Sequence, residues 1–178
     1  MPNIRIDEYG TLYDYEHHYC VSSYENVSRN TLALCAIKVG VINGHILSPG
    51  AMRFYASIVD IAFDFSGPNI TVSQDYLNAE TSVKSCVSFY VGMIAAELIA
   101  SNIYHIRHLF HLTDNILDVT YNPGAGTRPD FFGVGNTEAF LFEAKGSAYN
   151  RVTNDIIEHA KNQLANVASV RLNALPAP

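Results

Sequence analysis

Apolar positions recur along this chain in different rhythms, and each rhythm predicts a kind of element. Behind Pro49, from Gly50 to Phe63, Met52, Tyr55, Ile58, Val59 and Ala62 share one helical face, and Gly67-Pro68 lies beyond its end. From Thr81 or Ser82 to about Leu112, Val83, Val87, Tyr90, Val91, Ile94, Leu98 and Ile99 also fit helical spacing. Here apolar residues surround the axis, which predicts a buried helix. A third helix is expected from about Arg151 to Ala168, with Val152, Ile156, His159, Ala160 and Leu164 inward and Gln163 beside that face. Thr31 to Ile42 is apolar without a readable period, so its type stays open.

Strand-like runs occupy Ile116–Tyr121, residues 129–134 and 139–145, and Ser169–Leu175. The middle two are separated by Gly133, Gly135, Asn136 and Thr137, which predicts a β-hairpin. With Asn136 and Thr137 as its loop, Asp130 falls opposite Glu143; a bulge at either glycine would shift that register. At the start of the chain, IRIDEYGTLYDY reads as a strand or a hairpin around Gly10. From residue 85 the order is helix, strand, strand, strand, helix, strand. The expected organisation is therefore an α/β (α+β) core over residues 81–178 with a mixed N-terminal elaboration over residues 1–80.

Composition changes this picture only in part. A chain of 178 residues, 48% hydrophobic and 16% charged, suits one packed domain. The net charge of −6 is unfavourable for a polyanion partner, but residues 128–178 carry five acidic and five basic side chains, so nucleic-acid contact would favour the C-terminal third. The N-terminal tyrosines sit among Asp7, Glu8, Asp14 and Glu16, which would repel phosphate; a surface-packed extension, or a dimerisation or partner-binding region, fits better than a base-stacking platform. Cys20, Cys35 and Cys86 show no paired spacing and are expected as reduced, mostly buried thiols in a cytoplasmic setting. The most apolar window, Ser85–Ala96, is twelve residues long and is read as too short to span a bilayer.

The chemistry concentrates in RPDFFGVGNTEAFLFEAKG, Arg128 to Gly146. Directly opposite residues on an antiparallel pair share a face with Cβ atoms about 4.5–5.5 Å apart, so Asp130 and Glu143 would lie side by side. Strand alternation points Leu141, Glu143 and Lys145 one way and Phe140, Phe142 and Ala144 the other, into a core. Facing carboxylates need a compensator, and a divalent cation held by both is the obvious one, with Lys145 a partial alternative. An ion-pair ladder on an exposed sheet face is the bland counterpart. His105, His108 and His111 at i, i+3 and i+6 would fan around a helix by about 60° per step and so cannot converge on one ion. P-loop, Rossmann, nucleophile-elbow and zinc patterns are absent from the sequence.

Pro129-Asp130, twelve residues, then Glu143-Ala144-Lys145, together with the hairpin and the following helix, resemble the PD-(D/E)XK nuclease superfamily, with its restriction-endonuclease-like αβββαβ core. The resemblance covers roughly residues 85–175. It implies a DNA-hydrolysing enzyme using Mg²⁺ or Mn²⁺, serving restriction, phage defence, repair or a toxin system. Asp130 and Glu143 would hold the metal, with the Ala144 carbonyl and Glu97 as further ligands; Glu97 reads equally as a salt-bridged helix residue. Lys145 would orient or help deprotonate the attacking water, or neutralise the scissile phosphate. Gln163 and Lys161 on the following helix are second-tier supports, with a solvated role as the alternative. Arg128 lies where it could meet a phosphate. The rival reading is a non-catalytic binding or assembly module on the same fold.

Overall fold

A computed structural model describes residues 1–10, 15, 17, 20–41, 46–146 and 153–173. Its elements are β1 (Asn3–Glu8), β2 (Val21–Asn26), α1 (Arg29–Val39), α2 (Pro49–Ala62), β3 (Phe63–Asp64), β4 (Thr71–Val72), α3 (Gln74–Asn78) and α4 (Thr81–Asn102). There follow β5 (Leu109–His111), β6 (Leu117–Tyr121), β7 (Phe131–Val134), β8 (Ala139–Phe142), α5 (Asn154–Ala165) and β9 (Val167–Leu172). The protein is thus a mixed α and β fold with small antiparallel sheets. The expectations for Thr11–Asp14, for the helix start at Arg151 and Val152, and for the strand end at Ala174 and Leu175 lie outside the described residues.

The ambiguous apolar run is a helix because its ends are specified locally. Ser28 accepts the Thr31 N–H at 3.0 Å, and Leu32, Cys35, Ala36 and Val39 form its buried stripe. Helix α2 starts as read, with Ser48 accepting the Ala51 N–H at 3.2 Å ahead of Pro49. Ile58, Val59 and Ala62 are buried, but Met52, expected on the same face, is exposed.

Helix α4 ends ten residues before the expected Leu112. The chain breaks after Asn102, His105 takes a left-handed backbone (φ 54°), and Leu109–His111 becomes a strand. The three histidines therefore do not share a helix, and the helical fan does not apply to them. His111 packs in a role of its own: its Nε2 lies 2.7 Å from the Val39 carbonyl, and its ring is 4.7 Å from that of Phe131. The apolar stretch is also longer than the twelve-residue window Ser85–Ala96. The full 22-residue helix is long and apolar enough to cross a membrane by length and composition, yet half of its most apolar window is buried within the protein. The thiols differ likewise from expectation: Cys35 is buried, Cys20 half-buried and Cys86 exposed.

The strands form two separate sheets in the C-terminal half, β5-β7-β8 and β6-β9, accompanied by the β1-β2 and β3-β4 pairs. The expected element order holds with β5 added, but β6 pairs with β9 and not with the hairpin. Phe131, Phe140 and Phe142 pack on a cluster that includes Leu32, Val39, Val59, Ile94 and Leu98, drawn from both sides of residue 80. On the other face, Phe132 and Leu141 meet Leu112, Leu117, Val119 and Val170. The three-stranded sheet is thus sandwiched between helices and the β6-β9 ribbon. Asp130 and Glu143 lie just beyond the Phe131–Phe142 end of the β7-β8 ladder.

Candidate active site

Residues 131–142 make a hairpin for local reasons. The Gly135 N–H donates to the Glu138 carbonyl at 2.8 Å around Asn136 and Thr137, and the ladder runs from Val134–Ala139 to Phe131–Phe142 without a bulge. This is the register read from the sequence. The ladder ends at Phe131–Phe142, and beyond it backbone pairing gives way to side chains, with the two carboxyls close enough for the charge of Asp130 to act on Glu143. The Asp130 N–H donates to the Phe142 carbonyl at 3.1 Å, one residue out of that register, and the Ala144 N–H donates to Asp130 Oδ2 at 2.8 Å. Asp130 therefore fixes the peptide of Ala144 and helps hold β8 in line.

The Glu143 side chain is only 3% exposed. One oxygen, Oε1, accepts from Lys145 Nζ; the other, Oε2, is buried without a hydrogen-bond partner. A buried carboxylate oxygen is ordinarily satisfied, because stripping it of water costs free energy that a partner must offset. Burial pushes the Glu143 carboxyl above its ordinary value; the Lys145 hydrogen bond pulls it back, and the charge of Asp130 pushes it further up. The ion pair is therefore not a fully exposed ladder: the Glu143 side chain is buried while that of Lys145 is a third exposed.

Lys145 is held from two sides. Besides Glu143, its Nζ donates to Gln163 Oε1 at 2.7 Å, and Gln163 Nε2 in turn donates to the Arg128 carbonyl at 2.8 Å. Gln163 is the buried residue of α5, whereas His159, expected inward, and Lys161 are exposed. The solvated alternative is thus wrong for Gln163 and right for Lys161. Arg128 is exposed, with its guanidinium 4.9 Å above the ring centroid of Tyr121.

Glu97 is the residue that the structure places elsewhere. It is 2% exposed and bonded at 2.7 Å to Lys38 Nζ from α1. A buried carboxylate on an apolar helix needs a cation, and α1 supplies one. Among the described residues no group of three or more His, Cys, Asp and Glu side chains is arranged to hold a metal, so Asp130 and Glu143 stand as a pair.

One contact escaped sequence reasoning. The chain after Lys145 crosses α4 so closely that a Cβ at Gly92 would come within 2.6 Å of the Gly146 nitrogen, and a Cβ at Gly146 would collide with the Ser88 carbonyl. Its signal was present as the small residues Ser85, Ser88 and Gly92 at helical spacing. Comparison with protein-family models, with curated proteins and with solved structures finds no match for this chain.

Proposed function

We propose that the protein is a divalent-metal-dependent nuclease of PD-(D/E)XK type, cutting DNA phosphodiester bonds at the Asp130–Glu143 end of the three-stranded sheet. The observation that carries this reading is Glu143 Oε2, a buried carboxylate oxygen without a partner beside a second carboxylate. That donor set suits a hard cation such as Mg²⁺ or Mn²⁺, which takes carboxylate oxygens and retains water. Asp130, Glu143 and the Ala144 carbonyl are the groups that would hold it. A cation bound there supplies Lewis-acid neutralisation of the phosphoryl oxygens and acidifies bound water.

The remaining steps belong to the chain. Lys145, fixed by Glu143 and Gln163, presents its ammonium next to the carboxylates, where it neutralises the scissile phosphate or orients the attacking water. Gln163 prevents Lys145 from collapsing wholly onto Glu143. The burial of Glu143 and Gln163 strengthens the bonds that hold Lys145.

The pairing of Glu97 with Lys38 favours a second reading, a non-catalytic binding module, because it leaves two carboxylates where three would bind a metal more firmly. Titrating Mg²⁺ and Mn²⁺ into the protein with linear and circular DNA separates the two. The nuclease reading expects metal-dependent cleavage that Asp130→Ala, Glu143→Ala and Lys145→Ala each reduce by at least about a thousandfold, within the scale of losing a principal catalytic group. No cleavage together with no calorimetric metal binding would leave the binding module standing.

A further inference from the structure

Arg128 differs from an ordinary surface arginine in how firmly it is anchored. Its carbonyl accepts from Gln163 Nε2 at 2.8 Å, and the carbonyl of Thr127 accepts from Asn166 Nδ2 at 2.8 Å. Asn122 completes the fastening: its Nδ2 donates to the Ala165 carbonyl and its N–H to the Asn166 carbonyl, both at 2.8 Å. The last turn of α5 is thus tied to the segment that carries Arg128, and the guanidinium rests over Tyr121 of β6. Among the described residues Arg128 makes no ion pair, a state it shares with Arg53, Lys84, Arg107, Lys161 and Arg171; the stack and the anchoring are what set it apart.

Its position relative to the site follows from Gln163: one amide bonds both the Lys145 ammonium and the Arg128 carbonyl. The segment carrying Arg128 is thus tied beside the Lys145 ammonium, and the Arg128 guanidinium is exposed and stacked on Tyr121. Guanidinium groups held on an aromatic ring keep their donor fork free for a phosphate and lose little freedom on binding it.

We propose that Arg128 holds a second phosphate of the substrate, next to the one that faces Lys145, so that the substrate is a polynucleotide strand and not a mononucleotide or an isolated phosphodiester. The proposal rests on the nuclease reading for the identity of the first phosphate. Arg128 is then a binding residue, and its contribution appears in KM and in salt dependence.

The test compares wild type, Arg128→Gln and Arg128→Lys in steady-state cleavage of a labelled oligonucleotide carrying phosphates on both sides of the cut, over a KCl series. For Arg128→Gln the expected result is a KM raised about tenfold with kcat changed less than about threefold. The slope of log(kcat/KM) against log[KCl] becomes shallower by about one phosphate contact. Arg128→Lys restores the slope and only part of the KM, because it keeps the charge and loses the fork and the stack. An unchanged KM and slope would overturn the proposal, as would a fall in kcat at constant KM, which would mean that Arg128 acts by placing Asp130. If wild type cuts nothing with either metal, the nuclease reading fails by itself, and equilibrium binding of the same oligonucleotide decides for Arg128. Loss of one unit of salt slope in Arg128→Gln retains it as a phosphate-holding residue, and equal slopes dismiss it.

Discussion

Lys145 has two partners of opposite character, and the difference decides what Gln163 does. Glu143 attracts the ammonium as an ion; Gln163 offers a neutral acceptor at 2.7 Å and uses its other end to grip the Arg128 carbonyl. Because Gln163 is buried, neither end can exchange its partner for water without cost. Gln163→Leu therefore removes both bonds at once and, on the proposed nuclease reading, is expected to lower cleavage on the order of 10-fold to 100-fold, the range for groups that orient metal ligands. Gln163→Glu keeps an acceptor for Lys145 but loses the donor to Arg128, so it should recover kcat more than KM. Kinetics of the two variants at fixed metal check this, and equal losses in both parameters for both variants would refute the division of roles. At this scale the sequence made Asp130, Glu143 and Lys145 legible, since a two-residue loop fixes the register locally. The burial of Gln163 was legible only in part: it lies beside the apolar face of α5, but which flank of that face is covered depends on where the helix docks, and His159 on the face is exposed.

The same contrast between local and distant information runs through the elements. The starts of α2 and of the hairpin follow from Pro49 with its Ser48 cap and from Asn136-Thr137, all within a few residues of the feature they specify. The end of α4 does not, because the apolar pattern continues through Ile103 and Ile106 after the helix has stopped. Those later residues are apolar for a different reason: Ile106 and Leu109 pack on Phe131 and the sheet. Helix α4 has a further demand placed on it, the close passage of residues 145–146 over Ser88 and Gly92. That passage fixes the position of the segment leading out of Lys145. A methyl group at either glycine meets backbone, which cannot rotate away. Gly92→Ala and Gly146→Ala are expected to destabilise the protein by about 1–3 kcal/mol each, the usual cost of forced overpacking. The loss of activity should exceed what the unfolded fraction explains, because the displaced strand end carries Lys145. Urea unfolding alongside metal-dependent cleavage checks both, and a Gly146→Ala protein of wild-type stability and activity would show that the crossing has room for a methyl group.

At the scale of the whole molecule, the question is what ties the N-terminal half to the sheet that carries the site. Part of the answer is apolar: α1 and α4 contribute to one cluster with Phe131. The other part is the Lys38–Glu97 pair, which joins the same two helices with a carboxylate that is 2% exposed and a lysine side chain that is 34% exposed. Burial raises the Glu97 carboxyl above its ordinary value, and the bond to Lys38 only partly offsets this. The thiol of Cys35, buried in the same helix as Lys38, is pushed up to about 11, chiefly by burial and next by the charge of Glu97. Since the native state keeps a proton on Glu97 at pH values where the unfolded chain has released it, stability from this group is greatest below 4.5 and falls as pH rises through the raised value. Lys38→Met sharpens the effect, because the lysine is what makes the charged form tolerable. The variant should lose up to about 3 kcal/mol relative to wild type at neutral pH, at the low end for a broken buried pair because Lys38 is partly solvated. That difference should shrink as pH falls and Glu97 becomes neutral. Unfolding free energies of the two proteins across this range provide the measurement. Parallel curves would mean that Glu97 carries no buried charge for Lys38 to balance, and a penalty that grows toward acid would reverse the sign of the coupling between the two halves.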